Sequence, residues 1–76
     1  MPVDFVKIEG EFVQGAVTDW KDRTLIESIV TLTRGMRIKT VAEFIEDEQT
    51  LRVMKECGVD YGQGFFFGRP STELRF

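Results

Sequence analysis

The chain has 76 residues, 42% hydrophobic and 30% charged, with 13 acidic against 10 basic side chains and a net charge of −3. That is one small domain or a piece of a larger one, and its acidic balance without a basic stripe excludes a sequence-independent binder of DNA or RNA polymers. With no His and a single Cys57, the sequence also excludes His-based triads, His zinc sites and an internal disulfide. No run approaches the roughly 18 apolar residues of a membrane span, and no charged segment followed by an apolar one opens the chain. A chain this short buries only about 60% of its unfolded surface, so its core is thin.

Asp4-Phe5-Val6-Lys7-Ile8-Glu9 reads as a strand ending at Gly10, with Lys7 and Glu9 two apart on one face. A connecting stretch containing Gly15 follows, then Thr18 or Asp19 as helix N-cap. The helix is expected from about Trp20 to about Met36. Leu25, Ile29, Leu32 and Met36 recur at spacings of four, three and four, predicting a buried face that Ile26 and Val30 widen. Ile38 to Phe44 reads as a second strand. Asp47 is placed to cap a second helix that turns Leu51 and Met54 inward and stops at Gly58, where Val59 packs back on Met54. A third strand is expected from Val59 to Gln63, before the run Phe65-Phe66-Phe67 and the turn Gly68-Arg69-Pro70. The order β-α-β-α-β with short links predicts an α/β fold of parallel strands with right-handed crossovers.

Polar residues gather at the strand ends. Lys7 and Glu9 lie toward the end of the first strand, Glu43 toward the end of the second, Gln63 at the end of the third. Sites in parallel α/β architectures form at the carboxyl ends of strands, where the connecting loops converge. An ammonium, carboxylates and an amide on one rim suit an anionic substrate and a metal ion. The alternative is an ion pair between Lys7 and Glu43 with no chemical role. The acidic run Glu46-Asp47-Glu48 is explained most simply as a helix N-terminus complementing its dipole. Cys57 reads as a small buried hydrophobe, Tyr61 and the three Phe residues as packing, and Arg69 as a solvated turn residue.

Three ordered blocks carry a resemblance to a known family: Asp4-Phe5-Val6-Lys7-Ile8-Glu9-Gly10, Thr40-Val41-Ala42-Glu43-Phe44-Ile45-Glu46, and the segment from Gly58 to Pro70, with Leu32-Thr33-Arg34 between. From Pro2 to Pro70 the chain resembles the C-terminal part of the EAL domain. The resemblance implies a modified TIM-type barrel and a bacterial phosphodiesterase that hydrolyses cyclic di-GMP to the linear dinucleotide, using two Mg²⁺ or Mn²⁺ ions. It assigns Lys7 to the attacking water and phosphate, and Glu43 to the metal centre and general base. Glu46 is expected to order the active-site loop or contact ligand, and Gln63 to lie near the same centre. Glu9 stands where the family usually has Asp, and Arg37 where it tends to have Gly; a left-handed Arg37 would cost about 1 kcal/mol.

A TIM-type barrel needs about 250 residues. The Glu-Ala-Leu motif, the family's Asn, its further metal-binding Glu and its Asp pair are absent from this sequence. The expectation is therefore that residues 1–76 form the C-terminal part of an incomplete barrel, inactive alone and binding no metal alone. Open strand edges further predict a homo-oligomer. The resemblance places the chain in the cytoplasm, with the parent protein free to be membrane-anchored. The competing reading is a catalytically inactive EAL-like module that works through protein contacts.

Overall fold

A computed structural model describes residues 4–64 and 74–76. The elements run β1 (Phe5–Ile8), α1 (Gly10–Gly15), α2 (Trp20–Gly35), β2 (Lys39–Ala42), α3 (Glu48–Cys57), β3 (Tyr61–Gly62) and β4 (Leu74–Arg75). β1, β2 and β3 are parallel neighbours, with Val6 opposite Thr40, Ile8 opposite Ala42, and Ala42 opposite Gly62. Backbone bonds carry the ladder one step beyond the strands: Glu43 N donates to Ile8 O (3.1 Å) and Gln63 N to Ala42 O (2.8 Å). β4 adds an antiparallel strand to the far edge of β3. It was not expected, and it pairs backbone groups that β3 would otherwise leave open on that edge. The aromatic run and turn at residues 65–70 lie outside the described residues.

The short helix α1 was expected only as a connection. It lacks a side-chain cap, but Phe12 N and Val13 N donate to Glu9 O (both 3.1 Å). Val13, fully buried, and Ala16 join the core, which supplies the stabilisation its length cannot. That core lies on one side of the sheet: Ile8, Val13, Ile26, Val30, Ala42, Ile45, Met54, Cys57 and Val59 pack together.

α2 starts at its expected cap, with Lys21 N donating to Asp19 Oδ1 at 2.9 Å. Its buried face differs from the expectation. Ile26, Val30 and Thr33 face inward, whereas Leu25, Leu32 and Met36 are exposed (41%, 66% and 60%). Each residue turns the helix by about 100°, so the two stripes lie side by side on it. Arg23 reaches Glu56 of α3 (3.2 Å), and Arg34 Nη2 donates to Gly58 O (2.9 Å), which fixes which flank meets α3. The Leu25-Leu32-Met36 stripe is rotated to the opposite flank and left exposed. Thr33 is tolerated inside because its hydroxyl donates to Ile29 O at 2.8 Å.

α3 follows the sequence closely. Thr50 N donates to Asp47 Oδ1 (2.7 Å), Gly58 takes the left-handed conformation at φ 89°, and Val59 N donates to Met54 O (3.1 Å). Beneath the sheet, Thr40 and Asp60 exchange bonds. Thr40 N and Oγ1 donate to Asp60 Oδ2 (3.0 and 3.2 Å), and Asp60 N donates to Thr40 Oγ1 (3.1 Å). These bonds tie β2 to the turn entering β3 and leave no unpaired polar group on the fully buried Thr40.

Candidate active-site rim

Strand alternation separates two faces. Ile8, Thr40, Ala42 and Gly62 turn toward the helices and are buried. The opposite face carries Phe5, Lys7 and Glu9 from β1, Lys39, Val41 and Glu43 from β2, and Tyr61 and Gln63 from β3. Register puts Lys7, Val41 and Tyr61 in one row. One step toward the carboxyl ends, Glu9, Glu43 and Gln63 form the next. Lys7 and Glu9 are exposed; Glu43 and Gln63 are half-buried. The Phe5 and Tyr61 rings lie 5.6 Å apart on this face, and Val41 on the same face is only 3% exposed.

The structure thus brings four of the five sequence-proposed site residues onto one rim. Their backbones are held from both sides: besides donating to Ala42 O, Gln63 accepts a bond from Ile45 N at 2.9 Å. Lys7 and Glu43 do not pair. The ion pairs among the described residues are those of Arg23 with Glu27 (3.8 Å) and Glu56 (3.2 Å). Glu46, the fifth residue, stands apart from the row, just before the α3 cap.

Between them sits Phe44. The sequence placed it at the end of the second strand, but β2 ends at Ala42 and Phe44 adopts φ 60°, a conformation costly for a bulky residue. The residue is 56% exposed, and its ring rests on Gly10, where any Cβ would strike it. Gly64 is likewise required, because a side chain there would run into the Ile45 backbone. Phe44 is a ridge between two hollows. One, of about 560 Å³, is lined by Glu9, Gly10, Glu11, Gln14, Glu43 and Phe44. The other, of about 290 Å³, is lined by Gln14, Val17, Thr18, Phe44, Glu46, Asp47 and Thr50. Glu11, Gln14 and Phe44 were not singled out from sequence; Gly10 directly after Glu9 was the available signal, since it marks a close approach.

Hydrogen bonds from the Thr50 amide and side chain hold the Asp47 carboxyl below its ordinary pKa, so it stays ionised at the mouth of the second hollow. Burial pushes the Cys57 thiol up, opposed by Arg23, and keeps it a packing residue at neutral pH.

Parallel strands with helices packed on one side and polar residues at their carboxyl ends define a section of a TIM-like α/β barrel. Residues 1–70 match the family described as EAL domain, and the chain belongs to that family. It is 41% identical over 70 residues to the cyclic di-GMP phosphodiesterase PdeB of Shewanella oneidensis, covering 92% of this chain and 8% of that protein. To the probable cyclic di-GMP phosphodiesterase PdeA of Escherichia coli it is 37% identical, covering 92% and 10%. Among solved structures, the EAL enzyme Bd1971 in its cAMP- and cyclic-di-GMP-bound form superposes with a TM-score of 0.81 at 35% identity, over 93% of this chain and 19% of that one. An EAL domain protein from Listeria monocytogenes superposes with a TM-score of 0.81 at 37% identity, over 93% and 29%. The chain therefore spans about a tenth of the curated relatives it matches.

EAL phosphodiesterases are metal-dependent as a class. Among the described residues, no group of three or more His, Cys, Asp or Glu side chains comes close enough to hold a metal ion. Glu9 and Glu43 are at most two donors, which does not complete the octahedral set Mg²⁺ requires. No helix among the described residues is long and apolar enough to cross a membrane.

Proposed function

We propose that this chain is the C-terminal part of an EAL domain that hydrolyses cyclic di-GMP to the linear dinucleotide in the cytoplasm. The observation that carries the proposal is the row Glu9–Glu43–Gln63 one step beyond Lys7, at the carboxyl ends of three parallel strands in a chain of this family. In this reading Lys7 neutralises a phosphate oxygen and Glu43 removes a proton from the attacking water. Gln63, through its amide, positions phosphate or water. The water oxygen bonds to phosphorus, one P–O ester bond breaks, the departing ribose oxygen takes up a proton from solvent to become a hydroxyl, and the ring opens. Glu9, one methylene longer than Asp, extends its carboxylate further over the rim. The remaining Mg²⁺ or Mn²⁺ donors come from elsewhere in the domain, so residues 1–76 alone neither hold the ions nor turn over substrate.

The test is a segment exchange. Residues 1–70 replace the matching 70 residues of Shewanella oneidensis PdeB, and formation of the linear dinucleotide is followed. Turnover in the exchange protein, lost in its Glu43→Gln form, is expected. A folded exchange protein that binds cyclic di-GMP without hydrolysing it would favour a non-catalytic EAL-like module instead.

The isolated chain is also proposed to self-associate. α2 exposes the Leu25-Leu32-Met36 stripe, and among the described residues β1 stands at the edge of the sheet; an apolar helix face and a strand edge are what a neighbouring strand–helix unit would cover. A monomeric mass by light scattering at tens of micromolar would refute this.

A further inference from the structure

The sheet has two outer edges, and the chain treats them differently. In a parallel ladder the N–H and C=O of one residue point to the same side, and alternate residues bond to opposite neighbours. Asp4 O accepts from Lys39 N (3.0 Å) and Ile8 O from Glu43 N (3.1 Å), so the even-numbered residues of this segment serve β2. Phe5 and Lys7 therefore turn their backbone groups outward, and among the described residues no strand lies beyond them. On β3 it is Gln63 that serves β2, which leaves Asp60 and Gly62 facing the other way.

That second edge is taken by the chain's own tail. Leu74 lies opposite Gly62 and Arg75 opposite Tyr61, antiparallel, and Phe76 N donates to Asp60 O at 2.9 Å. Phe76 is half-buried and packs against the core, and its ring rests on Gly62, where any Cβ would strike both the ring and the tip of Ile45. The strap is short: two paired residues and one ring, against the four residues of β1. It also lies beyond residues 1–70, the stretch that matches the family. In a closed barrel every strand has a strand on each side. The tail therefore sits where this section of sheet would continue.

We propose that the outer edge of β3 is a strand-receiving surface that this chain holds shut with its own tail, and that the occupant it fits is β1 of a second copy arriving parallel. The polarity agrees: β1 on that edge keeps every strand parallel and extends the order β1-β2-β3 without a break. Its four residues also offer more ladder bonds than the two-residue strap. Such a contact is heterologous, because the β3 edge of one copy meets the β1 edge of the next, and it repeats into rings or filaments. With β4 in place, β1 is the open edge among the described residues, and two such edges pair about a two-fold axis and close a dimer. The strap decides between the closed dimer and open-ended assembly. This goes beyond association on the β1 side and is independent of the phosphodiesterase reading.

The test measures mass in solution by sedimentation, for the 76-residue chain and its variants at one concentration. Leu74→Pro breaks the two-residue pairing, Phe76→Ala removes the ring from Gly62, and Phe5→Pro takes an outward N–H from β1. The wild-type chain is expected to stop at a dimer. Leu74→Pro is expected to raise the weight-average mass about twofold or more, into species of at least three copies, with Phe76→Ala between the two. Adding Phe5→Pro to Leu74→Pro is expected to return the mass to that of a monomer, because both modes of pairing use β1. Wild-type mass in both tail variants, or wild-type assembly beyond a dimer, overturns the proposal; a dimer throughout would still leave association through β1 standing. A wild-type monomer beside an assembling Leu74→Pro supports the strap and refutes pairing of two β1 edges. Large assemblies that persist in the double variant overturn the assignment of β1 as the occupant. A last measurement needs no variant to fold: the wild-type Phe76 amide is expected to exchange with solvent about tenfold or more slower than an open-chain amide. Exchange at the open-chain rate overturns the proposal.

Discussion

The two faces of one three-stranded parallel sheet have opposite fates in this chain. On the helix side Ile8, Thr40, Ala42 and Gly62 are sealed beneath α2 and α3, and polar groups there are fully partnered, as Thr40 and Asp60 illustrate. On the other side Phe5, Lys7 and Glu9 are exposed, and the side chains at the carboxyl ends have no ion-pair partners among the described residues. Burial is concentrated on the first face, and polar side chains without ion-pair partners among the described residues on the second. The contrast teaches that backbone hydrogen bonding can set a rim in place: Glu43 and Gln63 are held by ladder bonds of their main chain, and their side chains make no hydrogen bond or ion pair among the described residues.

The comparison is broken most severely from the helix side. Met54→Ala deletes a fully buried side chain at the centre of the core and is expected to cost about 3 kcal/mol, enough to unfold so small a chain in a denaturant titration. Asp60→Ala leaves the buried Thr40 N–H without its acceptor, and a loss of about 2 kcal/mol is expected by the same measurement. Asp47→Ala removes the α3 cap and is expected to cost about 1 kcal/mol. Since the folded carboxyl has a pKa below its ordinary value of 3.8, its contribution is present above that value and fades as pH falls through the folded pKa. The difference between wild type and Asp47→Ala should therefore close in melts carried below pH 3.8.

Smaller effects sharpen the contrast. Arg37 holds φ 60° two residues past the end of α2, so Arg37→Gly is expected to raise stability by up to about 1 kcal/mol, read as a higher thermal midpoint. Glu43→Gln, on the rim, is expected to change stability by less than about 0.5 kcal/mol while abolishing turnover in the exchange protein. A large loss of stability in Glu43→Gln would mean that the bare face is structural after all.

The order of the three parallel strands and two longer helices, both long-helix caps and the Gly58 stop were legible because each rests on local chemistry, whereas the added strand β4 was not. Asp47 needs only the amide three residues on, and Gly58 needs only its own freedom at positive φ. The rim residues were legible for a similar reason. Alternation along a strand decides which side chains share a face, and parallel order brings the strand ends together. The buried face of α2 was not legible. Two apolar stripes compete on that helix, and the flank meeting α3 is chosen by Arg23 and Arg34 reaching partners 33 and 24 residues away. Nor was α1, whose six residues are stabilised by burying Val13 and Ala16 in a core made by other elements. Phe44 is the sharpest case. Its β-forming side chain argues for continuing the strand, but its backbone is left-handed between Glu43 and Ile45, whose amides bond to β1 and to the end of β3, and its ring packs on Gly10. Local preference and periodicity are carried by the chain itself, whereas the choice between faces and the strain at residue 44 arise from contacts between segments distant in sequence.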